Sequence, residues 1–235
     1  MNLYLHRSKS LANSFLFILP LLILYEAGIA MHGSNIKNAA DVIFKTPLSI
    51  FGRNGSLIFN SLVIIFLFVS VFYIEKEYRF NSLIFIPMFL ESIVYALFIG
   101  YGVGFIVYKV LFPYVLAIFF SKNIWMGIIL SIGAGVYEEI VFRLLLLSVL
   151  YFIFASLLKI YKPISAAISI FLGALIFTSM HYVGTLSDSF TYTNFTFRFL
   201  SGLALSVVFM LRGLGIVVYT HAIYDVLSVI KPFHV

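Results

Sequence analysis

Two adjacent glutamates followed by an arginine form the first group of residues that could do chemistry. Glu138 and Glu139 stand side by side, and Arg143 follows Glu139 by four residues. Residues four apart share one face of a helix, so the sequence predicts an ion pair between Glu139 and Arg143. Glu138 points in another direction and stays available for acid–base chemistry. A purely structural cluster would leave one negative charge unbalanced, which favours a functional role.

Two histidines and an aspartate occur farther along the chain. His181 follows Phe177 by four residues at the end of an apolar stretch, and Asp225 follows His221 by the same interval. Taken alone, His181 fits a hydrogen-bonded histidine at a helix end. His221 and Asp225 fit a hydrogen-bonded pair, two metal ligands or an orienting pair. Together with Glu138, these residues supply enough groups to activate water and stabilise an oxyanion.

The sequence around these groups is that of a membrane protein. Hydrophobic residues make up 63% of the 235 positions and charged residues only 10%, whereas a soluble domain is about half apolar and a quarter charged. Ionisable groups inside membrane spans cost about 3 kcal/mol each at the bilayer centre, and they commonly mark functional sites. Glu26 and Glu91 are two further intramembrane acids, and we expect an interhelical hydrogen bond to satisfy each.

The hydropathy pattern predicts an all-α polytopic membrane helix bundle with about eight transmembrane helices, forming a single domain over residues 1–235. A span needs about 20 apolar residues. The first 25 residues could be a signal peptide, but a first span is favoured because no small-residue cleavage site follows. The predicted spans are 11–30, 57–74, 82–100, 103–120, 124–158, 164–182, 195–211 and 214–230.

Two boundaries in this pattern carry specific expectations. A break between the third and fourth spans is predicted from Gly100, Gly102 and Gly104. The segment 124–158 would be about 52 Å long as a helix, so it must tilt, break near Gly133 and Gly135 or continue along the interface. Loops are predicted over 31–55, with a possible interfacial helix, and over 183–194.

Composition also excludes several classes of function. The chain has no cysteine, which excludes disulfide scaffolds, thiolate metal sites and a cysteine nucleophile. The net charge of +6 is spread near the ends of apolar runs, as expected for interfacial anchors rather than a nucleic-acid surface. We therefore expect no nucleic-acid partner.

The three groups of residues, in this order, resemble the motifs of the CAAX-protease and bacteriocin-processing (CPBP) family, which includes the CAAX prenyl proteases. That family carries E-E-x-x-x-R, then F-x-x-x-H, then H-x-x-x-N or a close variant. The resemblance covers residues 137–225, within a motif-bearing core of roughly 124–230, and Asp225 stands at the usual asparagine position. It implies a helical membrane fold around a water-accessible cavity, an endopeptidase activity and a place in the cell membrane.

The resemblance also implies roles for individual residues. Glu138 and His181 would activate water, His221 and Asp225 would stabilise the oxyanion, and the Glu139–Arg143 pair would support them. The partners would be the lipid bilayer and a membrane-associated or leader-peptide substrate. No cofactor is expected, because Glu138 is needed as a base. In a metal-dependent version, a divalent ion such as zinc would be held by Glu138, His181, His221 and Asp225.

The role of Asp225 is left open by its departure from asparagine. An ionised aspartate cannot donate a hydrogen bond to an oxyanion, so Asp225 is protonated, orients His221 or binds a metal. The sequence favours the protonated donor, because an apolar cavity and a nearby Glu138 both disfavour the charged form.

Two other functions compete with proteolysis at this stage. A non-catalytic family relative could act in immunity or regulation, although the complete set of motifs argues against lost catalysis. A proton-coupled transporter would also use buried Glu, Asp and His, but inverted sequence halves, which would favour it, are not seen.

Overall fold

The computed structural model describes residues 2–32, 82–111, 124–183 and 189–230, together with the single positions 65 and 69. Within these ranges the chain forms seven helices and no β-strand. They are α1 (Asn2–Lys9), α2 (Leu11–His32), α3 (Ser82–Leu111), α4 (Ile124–Leu157), α5 (Lys162–Met180), α6 (Tyr192–Arg212) and α7 (Leu214–Ile230).

The predicted all-α membrane bundle is confirmed. Helices α2 to α6 are long and apolar enough to cross a membrane, and α7 is apolar but shorter. The ends of these six helices lie within a few residues of the predicted span ends, except that α3 continues past the predicted end at residue 100. The predicted span 57–74 and most of the predicted 31–55 loop lie outside the described residues.

The predicted break between the third and fourth spans is wrong. Helix α3 runs from Ser82 to Leu111 without interruption and passes through Gly100, Gly102 and Gly104. A helix within lipid must keep its backbone hydrogen bonds internal, so small residues there serve close packing rather than a turn. In agreement, Gly100 and Gly104 are buried. The rest of the predicted fourth span, 112–120, lies outside the described residues.

Helix α4 is also continuous over its 34 residues. It passes through Gly133 and Gly135 without the break that the sequence allowed. At 1.5 Å per residue α4 is about 51 Å long, well beyond the hydrocarbon core. Its turns widen into π-helix over Glu139–Leu147 and again over Ile153–Leu157. Such widened turns are frequent at functional sites, and the first begins within the glutamate pair.

Helix α7 lies at the centre of the described bundle. It packs against α2, α3, α4 and α6, while α5 packs against α6 and α4. Ten of the 17 residues of α7 are buried. A helix covered by protein on most sides is apolar nearly all round, so His221 on this helix is held among buried neighbours.

The close approach of α4 to α7 depends on Gly135. A Cβ atom added at Gly135 would lie 2.7 Å from both the Cβ and the backbone nitrogen of Ala222. Only glycine leaves room for the two backbones at this distance. Ala222 directly follows His221, so this contact sets how near the histidine comes to α4.

We expect Gly135→Ala to lower the free energy of unfolding by about 1–3 kcal/mol, because α7 must move away from α4 or distort. Gly102→Ala on α3 is the matched control, since a Cβ there meets nothing within 4 Å. Alanine is the better helix former, so this control should be neutral or slightly stabilising. Thermal unfolding in detergent compares the two variants, and equal stability would contradict the packing role of Gly135.

The expected hydrogen bonds of Glu91 are present and attach the N-terminal helix to the bundle. Arg212 binds Glu91 through Nε and Nη2, the second at 2.8 Å. Tyr4 on α1 donates to Glu91 Oε2 at 2.6 Å, and Arg212 Nη2 donates to Ser8 Oγ at 3.2 Å. Burial and the Glu91 carboxylate raise the pKa of Tyr4 to about 12. The phenol therefore stays a hydrogen-bond donor at neutral pH.

The turn after Arg212 is made by one glycine. Gly213 adopts a φ of 84°, in the left-handed region that glycine enters without strain. The chain reverses there directly from α6 into α7, and a Cβ at Gly213 would lie 3.1 Å from the Lys9 Cα. This tight turn and the Glu91–Arg212 pair fix the start of α7 next to α1.

Glu26 is likewise satisfied by a hydrogen bond between helices, as expected. Tyr137 on α4 donates to Glu26 Oε1 on α2 at 2.6 Å. The ring of Tyr137 also meets that of Tyr25 edge to face, with centroids 5.4 Å apart. Since Tyr137 directly precedes Glu138, the contact with α2 holds α4 in place next to the first motif.

Candidate active site

The predicted ion pair between Glu139 and Arg143 is present on α4. Arg143 Nη1 lies 2.7 Å from Glu139 Oε1, and both side chains are almost completely buried. Arg143 Nη2 reaches the carbonyl of Gly202 on α6 at 3.5 Å. The guanidinium also lies over the Phe177 ring, 4.3 Å from its centroid. A buried charge needs such partners, because an unpaired one is strongly destabilising.

Glu139 has a second partner that the sequence did not predict. His221 Nδ1 on α7 lies 2.5 Å from Glu139 Oε1, the same oxygen that binds Arg143. The other oxygen, Oε2, is buried and has no hydrogen-bond partner among the described residues. The carboxylate of Glu139 therefore holds His221 from behind, and its charge is shared between a guanidinium and an imidazole.

Asp225 faces the opposite nitrogen of the same histidine. The distance from His221 Nε2 to Asp225 Oδ2 is 3.4 Å, as the spacing of four residues on one helix allows. The Asp225 side chain is 24% exposed, whereas that of His221 is 3% exposed. The order Arg143, Glu139, His221, Asp225 is thus a chain of polar contacts that leads from the buried core towards a more accessible end.

The second histidine approaches the first glutamate of the pair. His181 follows the last residue of α5, and its Nε2 lies 3.9 Å from Glu138 Oε2. Its Nδ1 lies 2.9 Å from the carbonyl oxygen of Phe177. A carbonyl only accepts hydrogen bonds, so Nδ1 carries the hydrogen. A distance of 3.9 Å is too long for a direct hydrogen bond, but it is a separation that one water can bridge.

His181 lies closer to Glu138 than a count of residues along the predicted spans implies. Counting residues from predicted span ends places His181 much nearer the membrane surface than Glu138. The structure brings the two side chains to the same level. The long α4 explains the difference, because a helix of about 51 Å cannot lie wholly within the hydrocarbon core. Counting residues along α4 therefore does not give the depth of a side chain in the membrane.

The ring of Phe177 connects the two halves of the site. It meets the His181 ring at 4.8 Å and the His221 ring at 6.4 Å between centroids, both edge to face. Its face carries the guanidinium of Arg143. The sequence-predicted residues therefore form two groups, Glu138 with His181 and Glu139 with Arg143, His221 and Asp225, on either side of one aromatic ring.

The segment that carries these residues was compared with known protein families. Residues 119–227 match the family described as Rce1-like, type II CAAX prenyl endopeptidases. The matched segment contains every motif residue from Glu138 to Asp225. This segment, a little under half of the chain, is therefore similar to the Rce1-like CAAX proteases. No curated protein and no solved structure matches the chain.

The Rce1-like match confirms the resemblance predicted from the motifs. The family is one of endopeptidases, and the five long apolar helices make this chain a multi-pass membrane protein. Together they support an intramembrane endopeptidase in general terms. The two groups of polar residues around Phe177 are the part of the Rce1-like segment that could carry out such a reaction.

The five acids and histidines of these motifs form two separate groups, Glu138 with His181 and Glu139 with His221 and Asp225. In the part of the chain that the structure describes, no group of three or more His, Asp and Glu side chains is placed to hold a metal ion. Both nitrogens of His221 face carboxylates, Glu139 on one side and Asp225 on the other. His181 has only Nε2 turned towards Glu138.

The contact between Glu139 and His221 is the main feature that the motif spacing missed. The two residues are 82 positions apart on different helices, and spacing on a helix relates only near neighbours. The small residues Gly135 and Ala222 were the available signal, since small residues mark places where membrane helices approach closely.

Proposed function

We propose that this protein is an intramembrane endopeptidase that cleaves a peptide bond of a membrane-associated substrate, with Glu138 and His181 activating water. The observation that carries the proposal is the placement of these two side chains 3.9 Å apart, opposite a second polar group centred on His221. A base on one side and a donor on the other are the two requirements of peptide-bond hydrolysis.

Glu138 is the proposed general base. It removes a proton from water while the His181 imidazole holds that water, and the water oxygen attacks the peptide carbonyl carbon. A carbon–oxygen bond forms, and the carbonyl oxygen becomes an oxyanion. The carbon–nitrogen bond then breaks, and protonated Glu138 returns its proton to the leaving amine. The second hydrogen of the water stays on the new carboxyl group, so the products are one carboxylic acid and one amine, and atoms and charge balance.

His221 is the proposed oxyanion donor. An ionised carboxylate accepts hydrogen bonds and donates none. His221 stands between the carboxylates of Glu139 and Asp225, so an imidazolium with hydrogen on both nitrogens satisfies both neighbours. When the substrate is attacked, the developing oxyanion replaces Asp225 as the acceptor of the Nε2 hydrogen. Glu139 keeps the ring in position through Nδ1, and Arg143 holds Glu139.

Asp225 is proposed to orient His221 rather than to donate to the oxyanion itself. The 3.4 Å distance to Nε2 favours this role over the protonated donor expected from the sequence. We expect Asp225→Asn to lower kcat by about 10- to 100-fold, because asparagine still accepts a hydrogen bond but lacks the charge that holds the imidazolium. Asp225→Ala, which removes the acceptor as well, should be slower still.

The measurement is the pH–rate profile of wild type, Asp225→Asn and Asp225→Ala, with and without a chelator. An Asn variant with wild-type activity and a flattened alkaline limb would overturn the orienting role and restore the protonated donor. Chelator sensitivity of the wild type would instead assign Asp225 to a metal site.

Metal-free hydrolysis is the version that we propose. Glu138 is used as the base, and each nitrogen of His221 already faces a carboxylate. A zinc site normally needs three protein ligands that converge on one ion. The alternative ligand set of Glu138, His181, His221 and Asp225 would require the two pairs to rearrange around one centre.

The substrate class follows from the family and from the place of the site. We propose a peptide that reaches the enzyme from the membrane, either a prenylated carboxyl-terminal segment, as in the family description, or a leader peptide. The proposed site of action is the cell membrane, and the partial exposure of the Glu138 side chain, 10%, gives water access to it.

Cleavage in isotopically labelled water tests the proposed function. The purified protein is incubated in liposomes with prenylated and leader-type peptides in H₂¹⁸O, and products are analysed by mass spectrometry. We expect one ¹⁸O atom in the new carboxylate, because water is the nucleophile. A transporter or a non-catalytic relative would leave every peptide intact in this assay, and intact peptides throughout would overturn the proposal.

A further inference from the structure

Tyr224 lies beside His221 in the proposed site. It lies on α7, three residues after His221 and directly before Asp225, and it is 8% exposed. Its ring stacks on the His221 imidazole, with centroids 5.4 Å apart and planes 20° from parallel. The Phe197 ring of α6 packs near the Tyr224 ring, with centroids 6.5 Å apart. These contacts hold the phenol in one orientation.

The hydroxyl end of Tyr224 is in a polar setting. Asp225 is the next residue along the chain, and the charges of Asp225, Arg198 and Glu138 all act on the phenol. A tyrosine hydroxyl is normally hydrogen bonded when the ring is buried. The Tyr224 phenol is therefore influenced by the charge of Glu138 as well as by the His221–Asp225 pair.

The proposed reaction needs a donor at this place. An oxyanion is stabilised best by two or more donors that are already in position before charge develops. His221 supplies one, through Nε2. Asp225 supplies none when it accepts the hydrogen bond from His221. A phenol hydroxyl can donate, and tyrosine is among the side chains that form oxyanion holes.

We infer that Tyr224 is a further catalytic residue, whose hydroxyl donates the second hydrogen bond to the oxyanion in place of the residue at 225. The inference rests on the proposed function. During attack on the peptide carbonyl the hydroxyl donates to the new oxyanion. No proton is transferred, so the hydrogen bond strengthens as the charge forms and disappears when the carbonyl is restored.

The test compares Tyr224→Phe with Tyr219→Phe in the peptide assay. Tyr219 is the matched control, because it lies on the same helix and is equally buried at 8% exposed, with its ring stacked on Phe17 at 4.1 Å. Loss of one oxyanion donor lowers kcat by about 100-fold or more. We expect that loss for Tyr224→Phe with KM unchanged, and wild-type kcat for Tyr219→Phe.

A binding measurement separates catalysis from packing. The dissociation constant of an uncleaved peptide is compared for Glu138→Gln and for Glu138→Gln with Tyr224→Phe. We expect equal affinities, because the hydroxyl acts only on the charge that develops during the reaction. If the phenylalanine variant instead weakened ground-state binding, with kcat retained, Tyr224 would be a packing residue and the inference would be overturned.

A second substitution covers the case in which Tyr224→Phe does not fold. Site-specific 3,5-difluorotyrosine at position 224 keeps the ring and hydroxyl but makes the phenol more acidic. If the hydroxyl must stay protonated to donate, the alkaline limb of the kcat–pH profile moves to lower pH, and an unmoved limb would overturn the inference.

Peptide cleavage by the wild type separates failure of the proposed function from failure of the inference about Tyr224. An inactive wild type overturns the proposed function. An active wild type with an equally active Tyr224→Phe variant overturns only the role of Tyr224.

Discussion

Glu138→Gln is expected to lower kcat by about 10²- to 10⁴-fold while leaving a folded, membrane-inserted protein. The substitution keeps the size of the side chain and removes only its ability to take a proton from water. The side chain lies opposite His181 Nε2 and is 10% exposed, so it can meet a water without changing its environment. Peptide cleavage by purified protein in detergent measures the effect, and size-exclusion chromatography confirms that the variant stays monodisperse.

Glu26→Gln is the control for this experiment. Glu26 is also an acid within a membrane helix, and it accepts a hydrogen bond from Tyr137, the residue next to Glu138. Glutamine can still accept that bond, so activity and stability should match the wild type. His181→Ala should resemble Glu138→Gln, because it removes the other contact of the water. Full activity of the Glu138 variant would remove this residue from the site.

Arg143→Ala is expected to lower the free energy of unfolding by about 3–5 kcal/mol. Glu139 is fully buried, and the substitution leaves its carboxylate without the guanidinium that lies 2.7 Å away. The contact of Arg143 with the Phe177 ring is lost as well. Denaturant or thermal unfolding in detergent measures the change.

The double variant, Glu139→Gln with Arg143→Met, separates stability from catalysis. Removing both charges should recover most of the lost stability, because no unpaired charge remains in the core. Activity should stay low, since His221 loses the carboxylate behind Nδ1, a change that can cost up to about 10⁴-fold in a comparable histidine pair. A double variant no more stable than Arg143→Ala would show that the two residues are not energetically coupled.

The intrahelical parts of the site could be predicted well from spacing alone. Arg143 follows Glu139 by four residues, and Asp225 follows His221 by four. The structure contains both contacts. A helix places such residues on one face whatever surrounds it. Hydropathy predicted α2 and α4 to α7 for a similar reason, because length and apolar character are properties of each segment by itself.

The wrong and incomplete predictions concern relations between helices. A break was predicted at Gly100, Gly102 and Gly104, but α3 continues through them. Glycine favours a turn where water can satisfy the backbone, whereas in a membrane bundle it favours close packing. Glu139 was paired with Arg143 alone, because the approach of His221 depends on the contact of Gly135 with Ala222.

By itself the sequence predicted the class of the protein, most of its apolar helices and a set of motif residues. The family match over 119–227 confirms the family resemblance that those motifs predicted. These predictions depend on composition and on distances along one helix. Only the tertiary structure decided which acid lies next to which histidine. Glu138 faces His181, and Glu139 contacts His221 Nδ1. That choice depends on the depth and rotation of α4, α5 and α7 relative to one another, which close contacts such as Gly135 against Ala222 set and residue spacing does not.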